Sequence, residues 1–147
     1  LDQSGSFYDL SHQEGTGVIV FFYSKDRTPG CTLEVRDFSE LAPEFGAKGY
    51  QVVGASPDSV ESHRSFSEEL GSPLVLLSDP THATMEAWGA WGDKINYGRH
   101  YKGVIRSTVV IDSSGQITKI YPKVRAKGHA ERVLRDITEI DSQVTHE

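Results

Sequence analysis

Three observations in the 147-residue chain predict an α/β domain built on a central mixed β-sheet. Short β-branched and aromatic runs alternate with stretches of helical periodicity through the first part of the chain. Two later runs, 106–112 and 116–121, are joined by Ser113-Ser114-Gly115, a hairpin signal that adds antiparallel strands. An amphipathic stretch then closes the sequence.

Residues 1–17 are polar and rich in Gly and Ser, with an apolar patch at Phe7, Tyr8 and Leu10, and read as a turn or short edge strand. Residues 18–23 are β-branched and aromatic throughout, as a buried strand requires. Thr28-Pro29-Gly30 breaks that strand. Cys31, Val35, Phe38, Ala42 and Phe45 then recur at helical spacing, and Pro43 predicts a kink near the end of their helix. Residues 50–55 form a second apolar strand. Asp58 with Glu61 three residues on resembles a capping box, and the helix it opens turns Val60, His63, Phe66 and Leu70 inward. A strand over 74–77 and a short helix over 81–88 follow. After the hairpin, Val133, Ile137 and Ile140 mark an amphipathic helix over 130–140. The order β-α-β-α-β-α-β-β-α matches a thioredoxin-like domain, one domain spanning 1–147.

Composition excludes several function classes. The net charge is −6 and the basic residues are scattered among acidic ones. Nucleic-acid binding needs a clustered basic face, and an anionic membrane repels such a surface. No apolar run approaches the ~20 residues of a membrane span, and no charged-then-apolar signal segment is present. The chain opens on Leu1 rather than Met, which leaves targeting at that end undecided. One cysteine cannot form an internal disulfide, which fits a reducing compartment, with the cytoplasm as the default. His12, His63, His82, His100, His129 and His146 show no i, i+4 pair and no neighbouring cysteine, so no metal site is expected. Trp88 and Trp91 read as core or pocket wall, and Tyr97 as pocket mouth or exposed loop.

The chemistry centres on Cys31. A lone cysteine is more often an inert core residue. Here it falls in the first turn of a helix, after a Pro-Gly turn and a buried strand. Unpaired N–H groups and the positive end of the helix dipole favour the thiolate there, and the same groups can hold an oxygen as it gains negative charge. Thr28, three residues earlier, is close enough to aim a hydroxyl at the sulfur. Arg106 opens an apolar strand, where an arginine is costly unless paired. Glu34, one turn along the cysteine helix, is the candidate partner for Arg106. Exposed charges at a strand end and on a helix surface are the plainer readings of these two.

The segment from Phe22 to Phe38, with Lys25-Asp26-Arg27-Thr28-Pro29-Gly30-Cys31-Thr32-Leu33-Glu34 at its heart, resembles the peroxidatic-cysteine loop of peroxiredoxins. In detail it is similar to the bacterioferritin-comigratory, or PrxQ-type, branch. The resemblance continues through 53–63, Leu76-Leu77-Ser78-Asp79-Pro80, Trp91-Gly92 and 106–112, and so covers nearly the whole chain. It implies a thiol peroxidase without cofactor or metal. Cys31 matches the peroxidatic cysteine, and Thr28 the threonine that bonds sulfur and peroxide. Arg106 matches the arginine that stabilises the thiolate and polarises the O–O bond. Glu34 matches the acidic residue that orients that arginine. The implied substrates are hydrogen peroxide and small alkyl hydroperoxides.

Three departures from the family pattern stand out. Ser24 replaces a shielding proline seven residues before the cysteine, which predicts a wetter pocket. Arg36 and Ser67 occupy the two places where such enzymes carry a resolving cysteine. A natural serine at 67 is the plainer reading, although an engineered exchange of cysteine for serine leaves the same sequence. The family's N-terminal hairpin, which precedes the position of Leu1, is expected to be absent. With one cysteine, the resemblance implies a monomer whose cycle is completed by an outside thiol such as thioredoxin, glutaredoxin or glutathione. The alternative is a non-catalytic redox sensor or binding module that uses Cys31 as a switch. A thiol–disulfide oxidoreductase is disfavoured because no Cys-x-x-Cys pair is present.

Overall fold

The structure, a computed structural model, describes residues 1–2, 5, 16–96, 99–122, 124–125 and 127–145. The elements are β1 (Gly17–Phe22), α1 (Pro29–Ala47), β2 (Tyr50–Ser56), α2 (Val60–Leu70), β3 (Val75–Ser78), α3 (Ala83–Ala87), β4 (Trp91–Asn96), β5 (Arg99–Val104), β6 (Ser107–Ile111), β7 (Ile117–Tyr121) and α4 (His129–Thr145). The five-stranded sheet runs β3-β2-β1-β6-β7. β1 pairs parallel to β2, and β2 to β3, while β6 lies antiparallel to both β1 and β7.

β1 is central because every one of its residues is buried, as a strand covered on both faces requires. Its alternating side chains serve two cores. Ile19 and Phe21 join Val35 and Phe38 of α1, Phe66 of α2 and Val133 and Ile137 of α4. Val18, Val20 and Phe22 join Val53, Val109 and Met85 on the other face. Phe21 and Phe38 stack with ring centroids 4.6 Å apart, which locks α1 onto the sheet. Gly54 of β2 permits this packing, since a Cβ there would lie 2.8 Å from the Phe21 ring.

Register sets the site. Phe22, the last residue of β1, pairs with Ser107, the first of β6. The β1–α1 loop, 23–28, therefore leaves the sheet beside Arg106, which lies just before β6 rather than opening it.

Several sequence expectations are corrected. Ser59, not Asp58, caps α2, and its side chain accepts from Ser62 N at 3.1 Å. Asp58 instead accepts from Asp26 N at 2.8 Å and from Ser56 Oγ at 2.6 Å. The hairpin of β4 and β5 forms where no strands were expected. Pro43 lies inside α1 and is exposed, as its place in the helical pattern implied. The β6–β7 turn follows expectation: Asp112 Oδ1 accepts from Ser114 and Gln116, and Gly115 has φ +88°. Most of the polar opening, with Phe7, Tyr8 and Leu10, lies outside the described residues, as does Tyr97. Among the described residues, no helix is long and apolar enough to cross a membrane.

Candidate active site

Cys31 is fully buried and is the third residue of α1, after Pro29 at a position where a missing N–H costs nothing. The first-turn amides of a helix have no intrahelical acceptor, so those at Gly30 and Cys31 remain free to meet a ligand oxygen. Thr28 is the N-cap in extended conformation, and its carbonyl accepts from Thr32 N at 2.8 Å. Its hydroxyl makes no cap and donates instead to Lys25 O at 2.8 Å, not to the sulfur.

Arg106 reaches Cys31. Its Nη2 donates to Sγ at 2.8 Å, across 75 residues of sequence. Gly30 leaves room for this approach. A Cβ there would lie 3.0 Å from Nη1 and 3.3 Å from Nη2, close enough that the guanidinium would have to shift by a few tenths of an ångström to admit it. The Arg106 carbonyl accepts from Val124 N at 2.8 Å, which holds the arginine backbone from the far side.

Glu34, one turn on from Cys31, faces the same guanidinium, with Oε1 3.7 Å from Arg106 Nε. That separation is within ion-pair reach but too long for a hydrogen bond, and both carboxyl oxygens and Nε are buried without a hydrogen-bond partner. Burial favours the protonated acid and the Arg106 charge opposes it; burial prevails, and Glu34 is pushed up to about 8. The four residues singled out from sequence thus gather at one end of the sheet, but only Arg106 touches the sulfur by a hydrogen bond.

Ser24 is exposed while Cys31 is wholly buried, so the serine leaves the sulfur covered in this state. Arg36 is exposed on α1. Ser67 is half-buried on α2, where its hydroxyl donates to Ser72 O at 3.3 Å.

A buried polar network beneath the cysteine loop escaped sequence reasoning. His63 Nδ1 lies 2.8 Å from Asp26 Oδ2, and both side chains are almost fully buried. Tyr23 donates to Asp26 Oδ1 at 2.6 Å and Ser62 to Asp26 Oδ2 at 2.7 Å. Donor atoms of Asp26, Asp58 and His63 lie within 4.8 Å of one another. All three are engaged in the hydrogen bonds of the network. Outside it, Arg27 adopts φ +68° and forms a two-pronged pair with Glu69 of α2. The residues are far apart in sequence, so no local spacing signalled the cluster; only the inward position of His63 hinted at it.

The family model described as AhpC/TSA matches residues 1–120. Peroxiredoxin Bcp of Bacillus subtilis is 37% identical over 139 residues, covering 95% of this chain and 88% of that protein. Peroxiredoxin Bcp of Xanthomonas campestris is 38% identical over 130 residues, covering 88% and 81%. A solved structure of the Xanthomonas campestris bacterioferritin comigratory protein, studied for alkyl peroxide reduction, superposes with TM-score 0.81 at 38% identity, covering 86% of this chain and 80% of that one. BcpB from Mycobacterium tuberculosis superposes with TM-score 0.81 at 31% identity, covering 95% and 90%.

Proposed function

The chain belongs to the AhpC/TSA family, in its Bcp (PrxQ) peroxiredoxin branch, and is a thiol-dependent peroxidase; from that premise we propose that Cys31 is the sulfur that reduces the peroxide. The observation that carries this is the Arg106 Nη2–Cys31 Sγ contact of 2.8 Å at the start of α1.

In this reading the Cys31 thiolate attacks the terminal oxygen of a hydroperoxide. The S–O bond forms as the O–O bond breaks, sulfur gives up two electrons, and an alkoxide or hydroxide leaves and takes a proton. Charge shifts from sulfur to the leaving oxygen, so the groups that matter are those aimed at both. Arg106 already touches the sulfur, and the first-turn amides of α1 are free to hold the oxygens. Thr28 acts by rotating its hydroxyl from Lys25 O toward the bound peroxide. Glu34 sets the tilt of the Arg106 guanidinium from its buried flank. The step draws its electrons from sulfur and needs neither metal nor organic cofactor.

The cycle closes outside the chain. The sequence holds one cysteine, so an external thiol must attack the sulfenic acid, releasing water and leaving a mixed disulfide. A second thiol then restores Cys31 and leaves as the oxidised disulfide. Thioredoxin, glutaredoxin and glutathione all have the required chemistry. A single domain over 1–147, acting as a monomer in a reducing compartment such as the cytoplasm, suits that dependence.

The test is a coupled peroxidase assay on the full chain and on Cys31→Ser. Wild type should consume peroxide at the expense of added thiol, and Cys31→Ser should be inactive with its circular dichroism unchanged. Substantial turnover by the folded serine variant would remove Cys31 from the reaction.

A further inference from the structure

We propose that His63 is a positioning residue for peroxide reduction, held as an imidazolium that fixes the cysteine loop through Asp26. The inference rests on the reading of Cys31 as the peroxide-reactive sulfur.

Hydrogen-bond accounting fixes the state of the ring. His63 Nε2 faces the Leu77 carbonyl of β3 at 2.9 Å, which can only accept. That nitrogen therefore carries a proton. Nδ1 faces both oxygens of Asp26, at 2.8 and 3.1 Å. Those oxygens already accept from the hydroxyls of Tyr23 and Ser62. Burial alone would raise the Asp26 carboxyl; the hydrogen bonds from His63, Tyr23 and Ser62 outweigh it and hold Asp26 below its ordinary value. Tyr23, raised well above its ordinary value by burial and then by the Asp26 charge, stays protonated and keeps donating. An ionised Asp26 leaves Nδ1 as a second donor, so the ring bears a positive charge.

The surroundings fit that charge. From the cysteine loop come the Tyr23 hydroxyl and Asp26, and from the end of β2 comes Ser56, 3.4 Å from Nε2. The segment before α2 contributes Asp58, whose carboxylate lies within 4.8 Å of the ring nitrogen. Two carboxylates face one cation, the buried Asp26 and the half-buried Asp58. Removing the proton would leave buried negative charge uncompensated, which is costly.

The mechanical consequence runs along the chain. Asp26 is fixed twice, by His63 at its carboxylate and by Asp58 at its backbone N–H. Arg27 follows with φ +68°, a conformation that surrounding contacts must hold for a residue with a side chain. Its pair with Glu69 supplies one such contact from α2. Thr28 and Pro29 come next, and then the turn that carries Cys31. Two residues, Arg27 and Thr28, thus separate Asp26, the point that His63 anchors, from the helix whose amides and sulfur must meet Arg106.

The experiment uses the full chain labelled with 15N-histidine, with NMR reading the protonation of each ring nitrogen across pH, and stopped-flow kinetics of Cys31 oxidation by hydrogen peroxide. Both nitrogens of His63 should be protonated at neutral pH. His63→Gln should slow oxidation by about 10-fold or more, on the scale by which small misplacement of reacting groups lowers rates, with unchanged circular dichroism. The ratio of wild-type to variant rates should fall toward one over the pH interval in which NMR shows His63 losing its second proton. Asp26→Asn offers an independent arm: at neutral pH its His63 should keep one ring proton only, and oxidation should again slow. A wild-type His63 with one bare nitrogen at neutral pH, or His63→Gln oxidised as fast as wild type, would overturn the proposal. Wild-type Cys31 that peroxide fails to oxidise would instead bring down the peroxidase reading on which it rests.

Discussion

At the scale of single residues, the site is a contest over one guanidinium. Arg106 donates to Cys31 through Nη2 and leaves Nε facing Glu34 without a hydrogen bond. Arg106→Ala should therefore slow Cys31 oxidation by at least ~100-fold, the scale lost when one preorganised charge stabiliser is removed. Arg106→Lys should recover only part of it, because an ammonium cannot face sulfur and carboxylate with one planar fork. Stopped-flow oxidation of the two variants reads both effects, and unchanged kinetics in Arg106→Ala would make the arginine structural. Glu34 gives a prediction in pH. Its ordinary value is 4.5 and burial lifts it to about 8 in the folded chain. Between those values the unfolded chain has lost this proton and the folded chain keeps it. Stability contributed by this group therefore falls as pH rises from 4.5 to 8, and the full penalty holds above 8. Glu34→Gln removes the titration. The stability of Glu34→Gln relative to wild type should rise across that interval with a limiting slope of about 1.4 kcal/mol per pH unit, a few kcal/mol in all. Urea midpoints from pH 4.5 to 9 check it, and parallel curves for the two proteins would contradict it.

At the scale of elements, the cysteine loop leads from β1 into α1 and is held by side-chain contacts to α2. α1 is held by Phe38 on Phe21, and α2 through Phe66 and the contacts of Asp26 and Arg27. Cys31 lies on the first and Ser67 on the second. Neither Arg36 nor Ser67 supplies a sulfur, so the sulfenic acid persists until an outside thiol arrives and is exposed to further oxidation to the inactive sulfinic acid. Ser67→Cys should restore an internal disulfide and lower the sulfinic fraction at high peroxide. The bond forms provided the helices unwind locally to bring the two sulfurs into disulfide geometry. Intact mass under non-reducing conditions measures both outcomes. An unchanged sulfinic fraction with no disulfide would show that the helices stay folded on the time scale of overoxidation.

At the scale of the whole molecule, the strands buried on both faces were legible because burial writes continuous apolar runs. β1, β2 and β6 all stand out in this way. The β4–β5 hairpin did not, because Asp93, Lys94 and Asn96 pair with Lys102, Tyr101 and Arg99 in strands that carry no apolar run. Asp58 was misread as a cap because Ser59 beside it offers the same chemistry, and only the fold shows that Asp58 reaches across to Asp26. Cys31 and Arg106 were legible through their motifs, and the Phe22–Ser107 register explains why they meet. The Asp26–His63 pair spans 37 residues and leaves no spacing signature. The orientation of Thr28 also lay beyond sequence, since a hydroxyl three residues from a sulfur has several acceptors within reach, and here it takes Lys25 O.

The most direct test of the whole account is to treat the reduced chain with one equivalent of hydrogen peroxide and follow its intact mass, with and without added thiol. The chain should quickly gain one oxygen, located on Cys31, and then lose it through a mixed disulfide when thiol is present. Turnover of peroxide with no oxygen on Cys31 and no mixed disulfide would contradict it.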